Sequence, residues 1–359
     1  MKLRNRSNPS KAPWYRNRIF NLVLVFGVGL FTAWSLMRSS DPLVIFNLVK
    51  NLNPIYMGMA IISMIAYVLL EALMMHLLIL INKKKASVRI AFKSTIIGQY
   101  YSMITPFASG GQPMQLISMV EDGVSTSHAT AILVNKFLYF QVGVTIYAVA
   151  MSLFYLSDIA AFIGQSYGVL GFGMAVNFIG LIILALMVLK PRGLKLMSMK
   201  ITRGIRSAFS IERKHSVKQR RWFRKIDAIA TSTHDLLKNR TLMGRMVILT
   251  AIQLTAYFGI TYFIYRAFGL SGQSFMKIVT LQAVLYLSIS LLPSPGSAGV
   301  AESGFKWFFG ALFTSGSLLG AMLVWRGISY YLNLLFSGII TVYFNVRTLQ
   351  NNKKILQSS

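Results

Sequence analysis

The 359 residues contain no cysteine, which excludes disulfides, thiolate nucleophiles and thiolate-bound metals. Redox compartment is unreadable for the same reason. Histidine is scarce: His76, His128, His215 and His234 make no HExxH or comparable ligand spacing. Acids number only nine, and all charged residues together make up 13% of the chain, against roughly a quarter in soluble domains. A soluble enzyme is a poor description of such a chain.

What fills the space is apolar. Hydrophobic residues reach 55% and the mean hydropathy is +0.57, with repeated runs at least as long as the ~20 residues that cross a bilayer. The predicted fold class is therefore an all-α polytopic membrane protein. Ile19–Met37 follows a basic segment but is long for a signal peptide, and SLMRSSDP offers no small-x-small cleavage site. It reads as a retained first helix.

The net charge of +28 would suggest nucleic acid in a soluble protein, but here its distribution points to topology. Residues 1–18 hold six Lys/Arg, Lys83–Lys93 hold five, and residues 190–245 hold sixteen against Glu212, Asp227 and Asp235. The positive-inside rule assigns all three segments to the cytoplasmic side, next to anionic lipid headgroups. Nucleic acid is not an expected partner, tRNA excepted. Trp222, Ile226, Ile229 and Thr233 fall at helical spacing amid Arg and Lys, so the loop 190–243 is predicted to carry an interfacial amphipathic helix.

Uninterrupted spans are predicted at Ile19–Met37, Ile55–Asn82, His128–Tyr155, Tyr167–Leu189, Gly244–Phe268 and Ser317–Phe344. Four of them separate the basic N-terminus from the basic loop, so the segment 94–120 must enter and leave on one face. Its arm Ser94–Ile104 would rise about 16 Å as a helix, roughly half of a ~30 Å hydrocarbon core. Segment 275–316 begins and ends outside by the same count, as a hairpin or as two spans. The organisation expected is a basic N-terminus (1–18), a first membrane half (19–189) with a hairpin at 94–120, the loop 190–243, a second half (244–346) with a hairpin at 275–316, and a cytoplasmic tail (347–359). Six full spans with two broken hairpins make an inverted-topology repeat, the arrangement by which secondary transporters gather broken helices around a midplane site. No residue-level repeat accompanies it.

The breaks are TPFASGGQP, Thr105–Pro113, and LPSPGSAG, Leu292–Gly299. Irregular backbone at membrane depth needs protein or water to satisfy it, so both imply a packed or water-lined cavity. Pro113 suits the first turn of a new helix, whose free N–H groups and positive end attract phosphate. Thr105, Ser109, Gly110, Gly111, Gln112, Ser297 and Gly299 are the candidate phosphate-binding residues. Glu71, Lys136, Glu302 and Arg326 lie in apolar segments, where each charge costs at least ~2.5 kcal/mol at the bilayer centre unless paired or hydrated. They are expected to meet a charged headgroup or to pair with one another. GVLGFG, Gly168–Gly173, sits in an apolar span without strand-turn-helix context and reads as helix packing rather than a nucleotide loop. No cofactor or metal is expected.

GQYYSMITPFASGGQPMQLISMVEDGVSTSHATAILVNKF, residues 98–137, resembles the signature region of the transmembrane domain of lysylphosphatidylglycerol synthase/flippase (MprF-type) proteins, and LPSPGSAGVAESGFKWFF, residues 292–309, resembles their Pro-Gly-rich segment followed by an acid, here Glu302. The resemblance covers most of residues 15–346. It implies a bacterial cell-membrane module with a cytoplasmic N-terminus that binds phosphatidylglycerol or its lysyl ester, moves it between leaflets, and so supports resistance to cationic peptides. Full-length members add a cytosolic domain that transfers lysine from lysyl-tRNA to phosphatidylglycerol. Thirteen residues follow Val346, so the expectation is a module without that domain. Lysyl transfer, alone or with a soluble synthase in trans, and transport of polyprenyl-linked lipids are the alternatives, and oligomeric state is left open.

Overall fold

The computed structural model describes residues 50–82, 87–105, 108–155, 174–175, 177–182, 238–290, 299–314 and 316–357. The predicted first span Ile19–Met37, the amphipathic helix of the basic loop, the GVLGFG segment and most of the second break lie outside them. The described regular structure is helical: α1 Pro54–Asn82, α2 Val88–Ile104, α3 Gly111–Glu121, α4 Thr126–Phe154, α5 Arg240–Ala267, α6 Phe275–Ile289, α7 Val300–Phe309, α8 Leu318–Arg326, a π-helical segment Gly327–Leu332, and α9 Asn333–Gln357. α1, α4, α5 and the stretch Leu318–Thr348 are long and apolar enough to cross a bilayer. The protein is a multi-pass, all-α membrane protein.

Helix starts follow local capping chemistry. Ser87, Ser125, Asn239 and Ser274 each accept a backbone N–H of the first turn through the side-chain oxygen, which satisfies one of the orphan donors there. α1 shows why hydropathy does not reveal its packed face. Ile62, Ile65, Leu69 and Leu73 are exposed, whereas Ala60, Met64, Val68, Met75 and Leu78 are buried, so one apolar stripe meets lipid and another meets protein. Lipid tails are as apolar as leucine, so close backbone approach and interhelical hydrogen bonds must hold such helices together. Both are present. A side chain at Gly143 would collide with Thr250 of α5, and one at Gly304 with Leu285 of α6. Asn177 accepts from Gln141 Nε2 of α4 at 2.9 Å and donates to the Leu287 carbonyl of α6.

α2 and α3 form an antiparallel helical hairpin. Lys93 meets Asp122, Gly98 lies against Gln115, and Gly111 lies against Ser102, so the pairing descends one arm as it climbs the other. α2 has seventeen residues rather than the eleven expected. It starts earlier because Ser87 caps it and because Lys93, counted in the sequence with the basic segment Lys83–Lys93, is neutralised by Asp122 at 3.0 Å. At 1.5 Å per residue α2, α3, α6 and α7 rise about 25, 16, 22 and 15 Å, each short of a ~30 Å core. The main core cluster gathers side chains of α1, α5, α6, α7 and α8, with Phe305 stacked on Trp325 at 5.1 Å.

Candidate functional site

The first break is tightly organised on its own backbone. α2 ends at Thr105, whose Oγ1 donates to the Tyr101 carbonyl at 2.6 Å and accepts the Gly110 N–H at 2.9 Å. The Ala108 N–H closes a turn onto the Thr105 carbonyl at 3.2 Å, and Ala108 takes a left-handed φ of 52°. The Gly110 N–H is therefore already bonded, and it is not one of the free donors the sequence suggested for a phosphate. The glycines serve proximity instead. A Cβ on Gly110 would stand 2.7 Å from Thr105 Cγ2, and one on Gly111 would collide with Ser102.

Across the hairpin lies a polar chain through apolar surroundings. Glu71 of α1 forms an ion pair with Lys136 of α4 and accepts a hydrogen bond from Gln99 Nε2 of α2. Gln99 Oε1 accepts from Asn333 Nδ2 at 3.3 Å, and Lys136 Nζ donates to Gln115 Oε1 of α3 at 3.5 Å. Glu71 and Gln115 are buried, at 7% and 4% exposure. Charges this far from solvent are tolerable only when paired and hydrogen-bonded, and the chain supplies both.

Two adjoining cavities flank this network. The first, about 280 Å³, is walled by Glu71 and Lys136 together with Gly98, Ala108, Gly111, Gln112, Tyr139 and Gln253. The second, about 200 Å³, is walled by Ile289, Ser290 and Ala301, which flank the second break, and by Tyr257, Arg326, Ser329, Tyr330 and Asn333. Tyr67, Gln99, Ser102, Ala108 and Tyr286 belong to both walls. The ring of Tyr67 lies 4.8 Å from that of Tyr257 in the wall of the second cavity.

Arg326 anchors the second cavity. Its Nε donates to Glu302 Oε1 at 2.7 Å, and its guanidinium lies 5.3 Å from the centroids of both Trp325 and Tyr330. The other carboxylate oxygen of Glu302 accepts the Gly299 N–H at 2.5 Å, closing the start of α7 where Gly299 adopts φ 81°. The π-helical segment follows Arg326 directly. Such segments insert an extra residue into the helical register and recur at functional sites. Here the segment and the residues at its two ends present Arg326, Ser329, Tyr330 and Asn333 to one cavity, and Tyr330 OH donates to the Met103 carbonyl of α2 at 2.9 Å.

The structure thus joins Glu71 to Lys136 and Glu302 to Arg326, and brings Gly111 and Gln112 into the first cavity wall. Thr105 and Gly110 shape the turn. Ser109 is exposed and outside both walls, Gly299 caps α7, and Ser297 lies outside the described residues. Sequence reading passed over Gln99, Gln115, Gln253 and Asn333, although amides inside apolar segments were a visible signal. Among the described residues no group of three or more His, Asp or Glu is placed to hold a metal ion.

The family model of the lysylphosphatidylglycerol synthase TM region matches residues 19–337. A protein described as a UPF0104 membrane protein, from Archaeoglobus fulgidus, is 23% identical over 316 residues, covering 84% of this chain and 90% of its own length.

Proposed function

This chain belongs to the lysylphosphatidylglycerol synthase TM region family, and from that membership we propose that it binds the headgroup of an aminoacylated or other anionic phospholipid in the two cavities and carries it between leaflets. The observation supporting this reading is the adjoining pair of cavities, the first walled by the Glu71–Lys136 ion pair and residues of the first break, the second walled by Arg326, which Glu302 neutralises, and by residues flanking the second break. The paired groups neutralise one another's charges, so a bilayer tolerates them. A phosphate competes with the carboxylates for Lys136 and Arg326, and an ammonium competes with Lys136 for Glu71. Ligand entry then exchanges internal pairs for external ones.

In this reading the α2–α3 hairpin enters from the cytoplasmic face and the α6–α7 hairpin from the opposite face, within an inverted repeat whose N-terminus is cytoplasmic. The short arms and the basic segments support that topology, and rocking of the hairpins alternates access to the cavities. Placement in a bacterial cell membrane, and lower surface negative charge as a defence against cationic peptides, follow from the same reading. Reconstitution in liposomes with fluorescent lysylphosphatidylglycerol tests it: the protein should accelerate leaflet exchange over empty liposomes, and Glu71→Gln/Lys136→Met should abolish the acceleration. Exchange no faster than in empty liposomes would remove translocation from the reading. Because cysteine is absent, Ser109→Cys and Ser294→Cys report the two hairpin tips, and labelling of both from the same side would overturn the topology.

A further inference from the structure

Hydrogen-bond direction along the polar chain can be fixed by chemistry alone. An ionised carboxylate only accepts, so Gln99 must turn its amide nitrogen to Glu71 and its carbonyl oxygen to Asn333. Asn333 must therefore donate through Nδ2, which leaves its Oδ1 without a partner. Gln253 is fixed in the same manner. It donates Nε2 to the Tyr67 carbonyl at 3.4 Å, a group that can only accept, so its Oε1 is the atom left over and has no partner. Gln253 and Asn333 are 1% and 4% exposed. One walls the first cavity and the other the second. Each cavity wall thus includes a buried amide whose oxygen lacks a donor.

Resting on the headgroup-binding reading above, we infer that Gln253 and Asn333 determine specificity by selecting headgroups that carry an O–H or N–H donor and rejecting those that carry none. A buried acceptor left unmatched penalises a complex, whereas one that meets a ligand donor stabilises it. The long Gln253–Tyr67 bond leaves that amide free to turn its oxygen onto a ligand. The shared chemistry is the donor; its source is a glycerol hydroxyl in phosphatidylglycerol or an ammonium in phosphatidylethanolamine. Phosphatidylcholine, with phosphate and charge but no N–H, has neither.

Equilibrium binding to the purified full chain in detergent tests this, using lipids with identical acyl chains and a readout independent of transport. Phosphatidylglycerol and phosphatidylethanolamine should bind at least about 10-fold tighter than phosphatidylcholine. The N,N-dimethylethanolamine lipid keeps one N–H at nearly the size of choline and should bind like the ethanolamine lipid, with affinity dropping only at the last methyl. Gln253→Leu and Asn333→Leu should each shrink that step about 5-fold or more by weakening the donor lipids alone. A smooth decline with each added methyl would mean size, not a donor, is read, and overturns the inference. Equal binding of all lipids overturns it while leaving headgroup binding intact; no binding by any lipid overturns both. Selective binding without leaflet exchange supports the inference and overturns transport. Should the leucine variants fail to fold, the wild-type methyl series still decides.

Discussion

Removing Lys136 alone should be far more damaging than removing it together with its partner. Glu71 is 7% exposed and the Lys136 side chain 16%, so neither charge is well solvated without the other. Two unit charges about 4 Å apart attract by roughly 4 kcal/mol at an effective dielectric near 20, and breaking a buried pair by deleting one member typically costs about 3–5 kcal/mol. Lys136→Met should fall near the lower end, about 3 kcal/mol, because Gln99 still donates to the carboxylate. Glu71→Gln/Lys136→Met leaves no charge to compensate and should lie within about 1 kcal/mol of the wild type. The resulting coupling of roughly 2 kcal/mol or more is read from a double-mutant cycle of unfolding by sodium dodecyl sulfate in mixed micelles. Coupling below about 0.5 kcal/mol, with the single losses simply adding, would show that the two groups act independently and refute the reasoning.

Gly98→Leu and Gly111→Leu force the arms of the first hairpin apart at Gln115 and Ser102, and each should cost about 1–3 kcal/mol in the same unfolding assay; Gly58→Ala and Gly244→Ala, with open space around them, should stay within about 1 kcal/mol. Gly299→Ala meets nothing in space but holds φ 81°, so it should lose about 1–2 kcal/mol purely through backbone strain. Ala108→Gly relieves the left-handed φ of 52°, and should be neutral or stabilising by up to about 1 kcal/mol despite the added freedom of glycine. Glu302→Gln should weaken both the α7 start and the Arg326 contact, and a loss of stability no larger than that of Lys306→Gln would count against that double role.

The membrane class, the long helices and the four intramembrane charges were all legible in the chain, because composition and run length speak directly to the bilayer. Partner choice was not. Glu71 finds Lys136 from 65 residues away and Arg326 finds Glu302 from 24, and no local pattern encodes which acid meets which base. The early start of α2 was hidden because the neutralising Asp122 lies 29 residues beyond Lys93. The free donors expected at Gly110 disappear into Thr105, a contact made by a turn conformation rather than by residue type. The π-helical segment has no signature in GISYYL that separates it from ordinary helix.

That segment also sets the phase of the last membrane helix. With Arg326 at one edge and Asn333 just past the other, the bond of Arg326 to Glu302 and that of Asn333 to Gln99 are set together by the extra residue between them. Winding the same six residues, 327–332, as regular α-helix would turn everything downstream by about 100°. Asn333 would then face away from Gln99 while Arg326 kept its acid. The two sides of the site would fall out of phase although every contacting side chain was still present in the chain.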